Sequence, residues 1–502
     1  MGFETLPPLA ARFLENFLKN PARTALYIRG EKFSYKELMA RVYSIYIILK
    51  TKKITASRIG IYGGDDAETY ASVLAVSLYG ASYVPLNPGN PAARTEEMIK
   101  QSGIDCILAS GSGAPRLNGA RIINTSIPEK KTLSLPLHLS WEGMERVNTS
   151  EAYLLFTSGT SGTPKAVPVL KQGVYNLFQY FLEREGYDFK NTDRWLQMYD
   201  LTFDGSVFSL FLPLMTGASC YVVPAGGVKY IEIASLMESQ KITVALMPPS
   251  VIPYLEPYRD TIKFPHLRYS FLGGESLLYR SACQWQKLTP RAKIINLYGL
   301  TETTIACTAY LFDKKTAVAE SAKGIVPIGK PFHGVKYCIV DSRGKSVIKG
   351  VKGELCISGV QLFNFSSGGI SSKQLLKRGG SIFYKTGDIV RENRNKNLEF
   401  YGRKDRQVKV NGYRIELGEI DFYLREITGS QAVTLCVEKG KGVKRLYSFI
   451  EGSARQKDRI KAELFKKLPG HMQPYSITYM GKIPLNRNGK TDTGKLLAMI
   501  QR

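Results

Sequence analysis

The feature that most constrains the fold is a regular alternation of short apolar runs with helix-length segments early in the chain. Ile59 to Tyr62, Tyr83 to Leu86 and Cys106 to Ala109 read as strands, and Glu68 to Tyr79 and Arg94 to Gln101 between them read as helices. Such alternation predicts a largely parallel sheet with helices on both faces and right-handed crossovers. Upstream, Leu9, Phe13 and Phe17 share one helical face until Pro21, and a strand around Ala25 to Ile28 turns at Arg29-Gly30. Ser34-Tyr35-Lys36-Glu37 is a capping box, opening a helix whose apolar stripe is Leu38, Val42, Ile45 and Leu49. The most apolar long stretch, Tyr70 to Leu86, is broken by Ser, Tyr, Gly and Pro. It reads as a buried helix running into a strand rather than a membrane span.

From about Ile325 the texture changes to short strands with Gly-rich turns, Tyr337 to Val340 and Gly353 to Ser358, with Ser366 to Gly369 and Ser371 to Gly380 as polar loops. After Gly402 a new unit begins, with a hairpin (Val433 to Val437, Leu446 to Ile450) around Gly440-Lys441-Gly442 and a helix near Asp458 to Leu468. The expected fold class is α/β: a large N-terminal domain of α/β layered sheets plus a small β subdomain, then a small α+β C-terminal domain. The boundary falls at Arg403 to Arg406, giving domains 1–404 and 405–502. A length of 502 residues favours more than one domain.

Composition excludes several function classes. With 44% hydrophobic and 22% charged residues the chain reads as a soluble globular protein. Residues 1–20 carry no signal-peptide pattern, and Leu6 stands where a myristoylation site needs Ser or Thr. The seven cysteines include no C-x-x-C pair and the four histidines none at ligand spacing, which reads as reduced thiols in a cytoplasmic compartment and no cysteine or histidine metal site. The formal charge of +26 is spread along the chain without a nucleic-acid-binding signature, so it reads first as a solubilising surface. A field that steers an acidic partner is the alternative.

The sharpest chemical signal is Tyr153-Leu-Leu-Phe-Thr157-Ser158-Gly159-Thr160-Ser161-Gly162-Thr163-Pro164-Lys165. An apolar strand feeds a loop of Gly, Ser and Thr that ends in Pro-Lys, offering backbone N–H groups, hydroxyls and one ammonium to phosphate oxygens. Walker spacing is absent. A second signal, Asn296-Leu297-Tyr298-Gly299-Leu300-Thr301-Glu302-Thr303-Thr304, suits a Mg²⁺ site beside a stacked base. A third, Tyr384-Lys385-Thr386-Gly387-Asp388, presents a carboxylate able to accept ribose hydroxyls.

Together and in this order, these motifs resemble the adenylate-forming superfamily, and within it the amino-acid adenylation domains of nonribosomal peptide synthesis. Tyr35-Lys-Glu-Leu38, Tyr79-Gly-Ala-Ser-Tyr-Val-Pro-Leu86, Gly402-Arg-Lys-Asp-Arg-Gln-Val-Lys409, Asn411-Gly-Tyr-Arg-Ile-Glu-Leu-Gly-Glu-Ile420, Leu468-Pro-Gly-His-Met472 and Asn488-Gly-Lys-Thr-Asp492 extend the likeness over nearly the whole chain. The resemblance implies ATP, Mg²⁺ and the phosphopantetheine thiol of a separate carrier protein as reactants and cofactors. It implies that Thr157, Ser158, Gly159, Thr160, Ser161, Gly162, Thr163 and Lys165 hold the β- and γ-phosphates and that Thr301 and Glu302 act at the reacting centre, with Glu302 on Mg²⁺. Asn296, Tyr298, Gly299, Phe400 and the Gly273-Gly274-Glu275 segment would surround the nucleotide, and Asp388 with Arg403 would hold the ribose. Lys490, in the mobile C-terminal domain, would bridge the substrate carboxylate and the α-phosphate, and Asp405 would be the hinge. Ala166, His471 and Thr493 depart from the family, and Gln361 to Ser367 replaces a family turn and receives no role.

Phe203-Asp204-Gly205-Ser206 resembles the motif in which an aspartate grips the substrate's α-ammonium; a zwitterion entering an apolar pocket needs that charge paired. By resemblance the wall comprises Asp204, Gly205, Phe208, Leu246, Phe271, Gly273, Leu297, Ile305 and Ala306. Asp204 apart, it holds no charge, hydroxyl or amide side chain, so a polar side chain would lose about 1–3 kcal/mol. An apolar amino acid is expected, aliphatic rather than aromatic because Phe208 and Phe271 take up space. The alternatives are a D-alanine–carrier-protein ligase, an acyl- or aryl-CoA ligase of the same superfamily, and a catalytically dead amino-acid or nucleotide sensor. Asp204 argues against the second; Lys490, Glu302 and Asp388 argue against the third. The expected partners are an amino acid and a carrier protein, with no nucleic acid and no membrane span.

Overall fold

The computed structural model describes residues 9–111, 117, 119–126, 135, 139, 143–159, 163–184, 186–224, 228–365, 372–439, 443–452, 457–485 and 491–501. The capping box forms: Ser34 Oγ accepts the Glu37 N–H at 3.2 Å and the Glu37 carboxylate accepts the Ser34 N–H at 2.8 Å. The helix Tyr35–Thr51 follows, with Leu38, Val42, Ile45 and Leu49 fully buried. These local interactions set where the helix starts, and the stripe sets which face it buries.

The large N-terminal domain is built on layered sheets, as expected, and the strands of the alternating region all fall in one of them. In that first sheet, six strands among the described residues run in the order Arg121–Asn124, Cys106–Ala109, Arg58–Tyr62, Ser82–Leu86, Glu151–Thr157 and Lys165–Leu170. All neighbours are parallel except the last pair, an antiparallel hairpin whose connecting loop is the Gly/Ser/Thr segment. That hairpin closes the parallel series, and a second one starts at Arg194–Gln197. The second sheet has nine strands among the described residues, and its parallel centre runs from Lys293–Tyr298 through Tyr269–Gly273, Val244–Met247, Arg194–Gln197 and Ser219–Val222 to Thr24–Ile28. One continuous apolar core draws residues from both sheets and from the helices Tyr35–Thr51, Ala67–Leu78 and Gly205–Met215. Every residue of Ala67–Leu78 except Glu68 is buried, so the apolar stretch beginning at Tyr70 is interior helix and strand. No helix among the described residues is long and apolar enough to cross a membrane.

A smaller antiparallel sheet follows, ordered Val335–Val340, Gly353–Gly359, Ser381–Glu392 and Leu375–Arg378, with Leu398–Arg403 also paired to Ser381–Glu392. Here the expectation of a polar loop over 371–380 is corrected. Leu375–Arg378 is a strand paired to Ser381–Glu392, because Leu376 packs beside Cys356 and Phe383 and a Gly379-Gly380 turn with φ of 52° and 71° reverses the chain. Ser366 to Gly369 lies outside the described residues.

Beyond Arg403, the hairpin Gln407–Val410/Tyr413–Glu416 precedes the helix Leu417–Thr428 and a three-stranded sheet of Ala432–Lys439, Val443–Glu451 and Ser476–Met480. The expected hairpin is present as the first two of those strands, and the expected helix is Lys457–Phe465. Val410, Ile415, Ile420, Leu424, Ile450 and Leu464 belong to a separate core, so this part has its own apolar interior. The fold is therefore mixed α/β, with a large sheet-based N-terminal domain and a smaller C-terminal one.

Candidate active site

Two adjoining cavities lie where the C-terminal ends of the large sheet's strands meet the C-terminal hairpin. The larger, about 400 Å³, is lined by Gly274, Asn296, Tyr298, Asp388, Phe400 and Arg403, all singled out from the sequence. Asp388 sits at a bulge of Ser381–Glu392, where the register against Gly353–Gly359 shifts. Its carboxylate accepts Tyr298 Oη–H at 2.6 Å and Arg403 Nη1–H at 2.8 Å. A carboxylate has about four lone-pair directions, so Asp388 keeps acceptor capacity for a diol. Asn296 donates to the carbonyl of Pro327 at 2.8 Å, which fixes its amide against the cavity wall. Arg403 also pairs with Asp405 at 2.7 Å, tying the expected hinge residue to the expected ribose site.

The smaller cavity, about 100 Å³, is lined by Asp204, Gly205, Leu246, Gly273, Leu297, Ile305 and Ala306, seven of the nine residues expected to form the amino-acid pocket. Phe208 and Phe271 do not line it. Both are fully buried behind it and pack with Phe181 at ring-centroid separations of 4.9 and 5.4 Å. Tyr199, Phe203, Thr301, Lys409 and Arg414 also line the cavity.

Asp204 begins the helix Gly205–Met215 and turns its carboxylate to the cavity. Burial raises its pKa to about 6, opposed in part by a hydrogen bond from Thr301 and by the Lys409 ammonium. A desolvated carboxylate facing a small cavity is a receptor for a compact cation. The far wall is strained: Thr304 and Ile305 have φ of 56° and 66°, a region that a β-branched residue seldom adopts. Gln361, to which the sequence assigned no role, braces that wall. It is fully buried, donates to the Ala306 carbonyl at 2.7 Å, and its own carbonyl accepts Thr304 Oγ1–H at 2.6 Å.

The expected triphosphate and metal residues are in contact with the C-terminal domain. Glu302, 1% exposed, accepts Arg414 Nη1–H at 2.7 Å and Tyr384 Oη–H at 3.0 Å. Burial pushes its pKa up, but the Arg414 and Lys165 charges outweigh that and hold it below the usual range. The Gly159 N–H donates to Glu419 at 3.2 Å, and Ser158 Oγ both donates to the Arg414 carbonyl and accepts the Glu416 N–H, each at 3.1 Å. Glu419 is also paired with Arg94 at 2.7 Å. Lys165 donates to Gln374 at 2.8 Å, and burial lowers its pKa. Glu275, expected near the nucleotide, accepts the Gly412 N–H at 2.8 Å at the hairpin tip. Thr160, Ser161, Gly162 and Lys490 lie outside the described residues.

Sequence reasoning missed the hairpin's side of the site. Lys409 lines both cavities; burial lowers its pKa, and Asp388 and Asp204 act against that. Arg414 lines the smaller cavity as well as pairing with Glu302. A signal was available: Asn411-Gly412, with φ of 52° and 83°, is the two-residue turn that specifies a tight hairpin. What that hairpin would touch was not written locally.

The residues fit an adenylate and, conditionally, a metal. The larger cavity has the volume and the diol-binding carboxylate for a nucleoside monophosphate. The carboxylate of Glu302 and the hydroxyls near it are hard oxygen donors of the kind Mg²⁺ takes. In this domain arrangement Arg414 is the counter-charge of Glu302 and Glu419 takes the Gly159 N–H, so both groups already have partners from the C-terminal domain.

The sequence profile of the AMP-binding enzyme family matches residues 13–365. The chain is 30% identical over 512 residues to Zwittermicin A synthase ZmaJ of Bacillus cereus, covering 97% of this chain and 94% of that protein. It is 30% identical over 507 residues to Bacitracin synthase 1 of Bacillus licheniformis, where the match covers 98% of this chain and only 9% of that much longer relative. The fold superposes on the Vibrio cholerae adenylation domain AlmE, solved with glycyl-adenosine-5'-phosphate, with a TM-score of 0.84 at 25% identity, covering 98% of this chain and 97% of that one. It also superposes on a holo NRPS protein containing adenylation and PCP domains, bound to a vinylsulfonamide inhibitor, with a TM-score of 0.84 at 25% identity and coverage of 99% and 85%. Motifs, fold and cavities thus agree with the family match, and the chain belongs to the AMP-binding enzymes, the adenylate-forming superfamily that includes the adenylation domains of nonribosomal peptide synthesis.

Proposed function

We propose that this protein activates a small apolar, aliphatic amino acid as its aminoacyl-adenylate, releasing pyrophosphate, and passes the acyl group to the phosphopantetheine thiol of a separate carrier protein. The observation that carries the reading is Asp204, a desolvated carboxylate lining a cavity of about 100 Å³, otherwise walled largely by Leu246, Leu297, Ile305 and Ala306, that adjoins the nucleotide-sized one. In the first step the amino-acid carboxylate attacks the α-phosphorus and the bond to pyrophosphate breaks. Asp204 holds the α-ammonium, Asp388 and Arg403 orient the ribose, and Lys490 lowers the charge building on the reacting oxygens. Most of the acceleration comes from positioning and charge neutralisation. Mg²⁺ at Glu302 would neutralise triphosphate charge when bound.

In the second step a thiol attacks the acyl carbon and AMP leaves. The arrangement with Arg414 on Glu302 and Glu419 on Gly159 supports a division of labour between two domain positions, because it suits an adenylate whose pyrophosphate has gone. We place the division of the chain at residues 404/405, with Asp405 as the hinge. The likeness to a protein containing adenylation and PCP domains supports a carrier partner.

The test is amino-acid-dependent ATP–pyrophosphate exchange across the twenty common amino acids plus D-alanine. Glycine, alanine and the smaller branched side chains should support exchange best, and aspartate, glutamate and lysine negligibly. Strong exchange with a charged side chain would overturn the pocket assignment, and exchange only with acids lacking an amine would overturn the role of Asp204. Exclusive use of D-alanine would select the D-alanine–carrier-protein ligase.

A further inference from the structure

Cys338 and Cys356 stand directly opposite one another on the antiparallel strands Val335–Val340 and Gly353–Gly359 of the small sheet. Direct partners in such a ladder project from the same face with Cβ atoms about 4.5–5.5 Å apart and Cα atoms about 4.5–5.5 Å apart. The Cα spacing falls within the roughly 4.4–6.8 Å that a disulfide bridges. Cys338 packs against the small apolar cluster that contains Cys356. Cys356 is fully buried beside Val340 and Phe383, while Cys338 is half-buried at the edge of the same cluster and open to a small reagent. Arg378, exposed on the strand Leu375–Arg378 of the same sheet, sets its positive charge within reach of Cys338.

These neighbours make the two thiols unequal. The Cys356 thiol and the Arg378 guanidinium hold Cys338 below the usual thiol range, while Cys338 and burial push Cys356 up. Cys338 is thus the thiolate-forming member and Cys356 the resolving one. Cys106, Cys220 and Cys307 are buried, with burial pushing each thiol up. Neither Cys338 nor Cys356 lines the two cavities of the active site.

We propose that Cys338 and Cys356 form a reversible redox pair, a modification site that reacts with hydroperoxides and closes as a cross-strand disulfide. The Cys338 sulfur attacks the terminal peroxide oxygen, the O–O bond breaks, and the departing oxygen leaves protonated as water or an alcohol. Cys338 is left as a sulfenic acid. The Cys356 sulfur then attacks the Cys338 sulfur, the S–O bond breaks, and the hydroxide departs with the Cys356 proton as water. Two thiols and one hydroperoxide therefore give one disulfide, one water and one alcohol, or a second water when the oxidant is hydrogen peroxide. Exchange with an external dithiol reverses it.

The position links the pair to the rest of the molecule. Two residues from Cys356, Glu354 accepts Lys404 Nζ–H at 2.6 Å and the Gly387 N–H at 3.2 Å. The register between Gly353–Gly359 and Ser381–Glu392 shifts between Glu354 and Cys356, opposite the segment that presents Asp388. Oxidation therefore fastens the outer strand to the one that backs the Asp388 bulge.

The experiment treats the full-length protein with hydrogen peroxide, alkylates remaining thiols, and maps peptides by mass spectrometry. The expected result is a peptide linking Cys338 to Cys356, with both thiols recovered after dithiothreitol. In Cys356→Ser, Cys338 should accumulate as a dimedone-trapped sulfenic acid above the wild-type level; in Cys338→Ser, Cys356 should stay reduced. Three results would overturn the proposal: both thiols of the wild type remaining alkylatable at a dose that modifies Cys283 or Cys436, Cys338 passing to sulfinic acid without a linked peptide, or either cysteine joining a different one. The wild-type peptide map decides the matter even if a variant fails to fold.

Discussion

Asp204 concentrates the chemistry of the pocket in one residue, and it does so at a cost to the free enzyme. Its pKa, raised to about 6 by burial, means that the folded protein binds a proton more tightly there than the unfolded chain, whose value is near 3.8. Between those two values stability falls as pH rises, because the unfolded state loses its proton first. Asp204→Asn should therefore raise the Tm above pH 6, by up to about 3 kcal/mol in stability, and change little below pH 4. A urea or thermal melt series across pH checks this; a lower Tm at pH 8 would mean that the carboxylate is structurally required. Asp204→Ala should raise the amino-acid KM far more than the ATP KM, with a loss on the order of the 3–5 kcal/mol for breaking a buried ion pair. Equal increases in both constants would make Asp204 a fold residue. Asp204, Glu302 and Asp388 were legible from the sequence because each stands in a motif of unusual local composition. Gln361 was not, because its role depends on where Thr304 and Ala306 lie after folding.

The element that changes the reading of the site is the hairpin Gln407–Val410/Tyr413–Glu416. Asn411-Gly412 makes the turn, Val410 and Ile415 anchor it in the C-terminal core, and Arg414 faces the other way onto Glu302. Tyr413 stacks on His471 at 4.1 Å, and Phe203, the neighbour of Asp204, meets Tyr413 edge-on at 4.8 Å. One short element thereby carries the contacts that position the C-terminal domain against the amino-acid pocket. Arg414→Ala leaves Glu302 buried without its cation, so the docked arrangement should lose up to the cost of a broken buried pair, about 3–5 kcal/mol. Thiol transfer from supplied aminoacyl-adenylate should fall on the order of 10²-fold, and adenylate formation should fall much less, since in the proposed mechanism Arg414 withdraws for that step. Single-turnover assays of the two half-reactions separate the outcomes. Equal losses would show that the ion pair supports the fold rather than one domain position.

At the scale of the whole molecule, the two half-reactions of the proposed function would ask different things of one small domain. The resemblance assigns Lys490 to the first step, while the hairpin Gln407–Val410/Tyr413–Glu416 and the helix after it occupy the residues expected to hold metal and phosphate. Lys490→Ala should depress adenylate formation by about 10²–10³-fold, the loss typical of one preorganised charge-stabilising donor, with transfer from supplied adenylate near wild type. Loss of both half-reactions to the same extent would reject alternation about Asp405. The chain's own sequence determined its strand–helix order, the capping box at Ser34, the Gly/Ser/Thr loop and the carboxylates of the site, since periodicity, caps and motif chemistry act over a few residues. Only the tertiary structure decided how the strands divide between two large sheets, that Phe208 and Phe271 stand outside the pocket lining, and that Arg414 faces Glu302. Those outcomes depend on contacts between residues such as Glu302 and Arg414, brought together by packing two separate cores against each other, and no local pattern encodes which surface meets which.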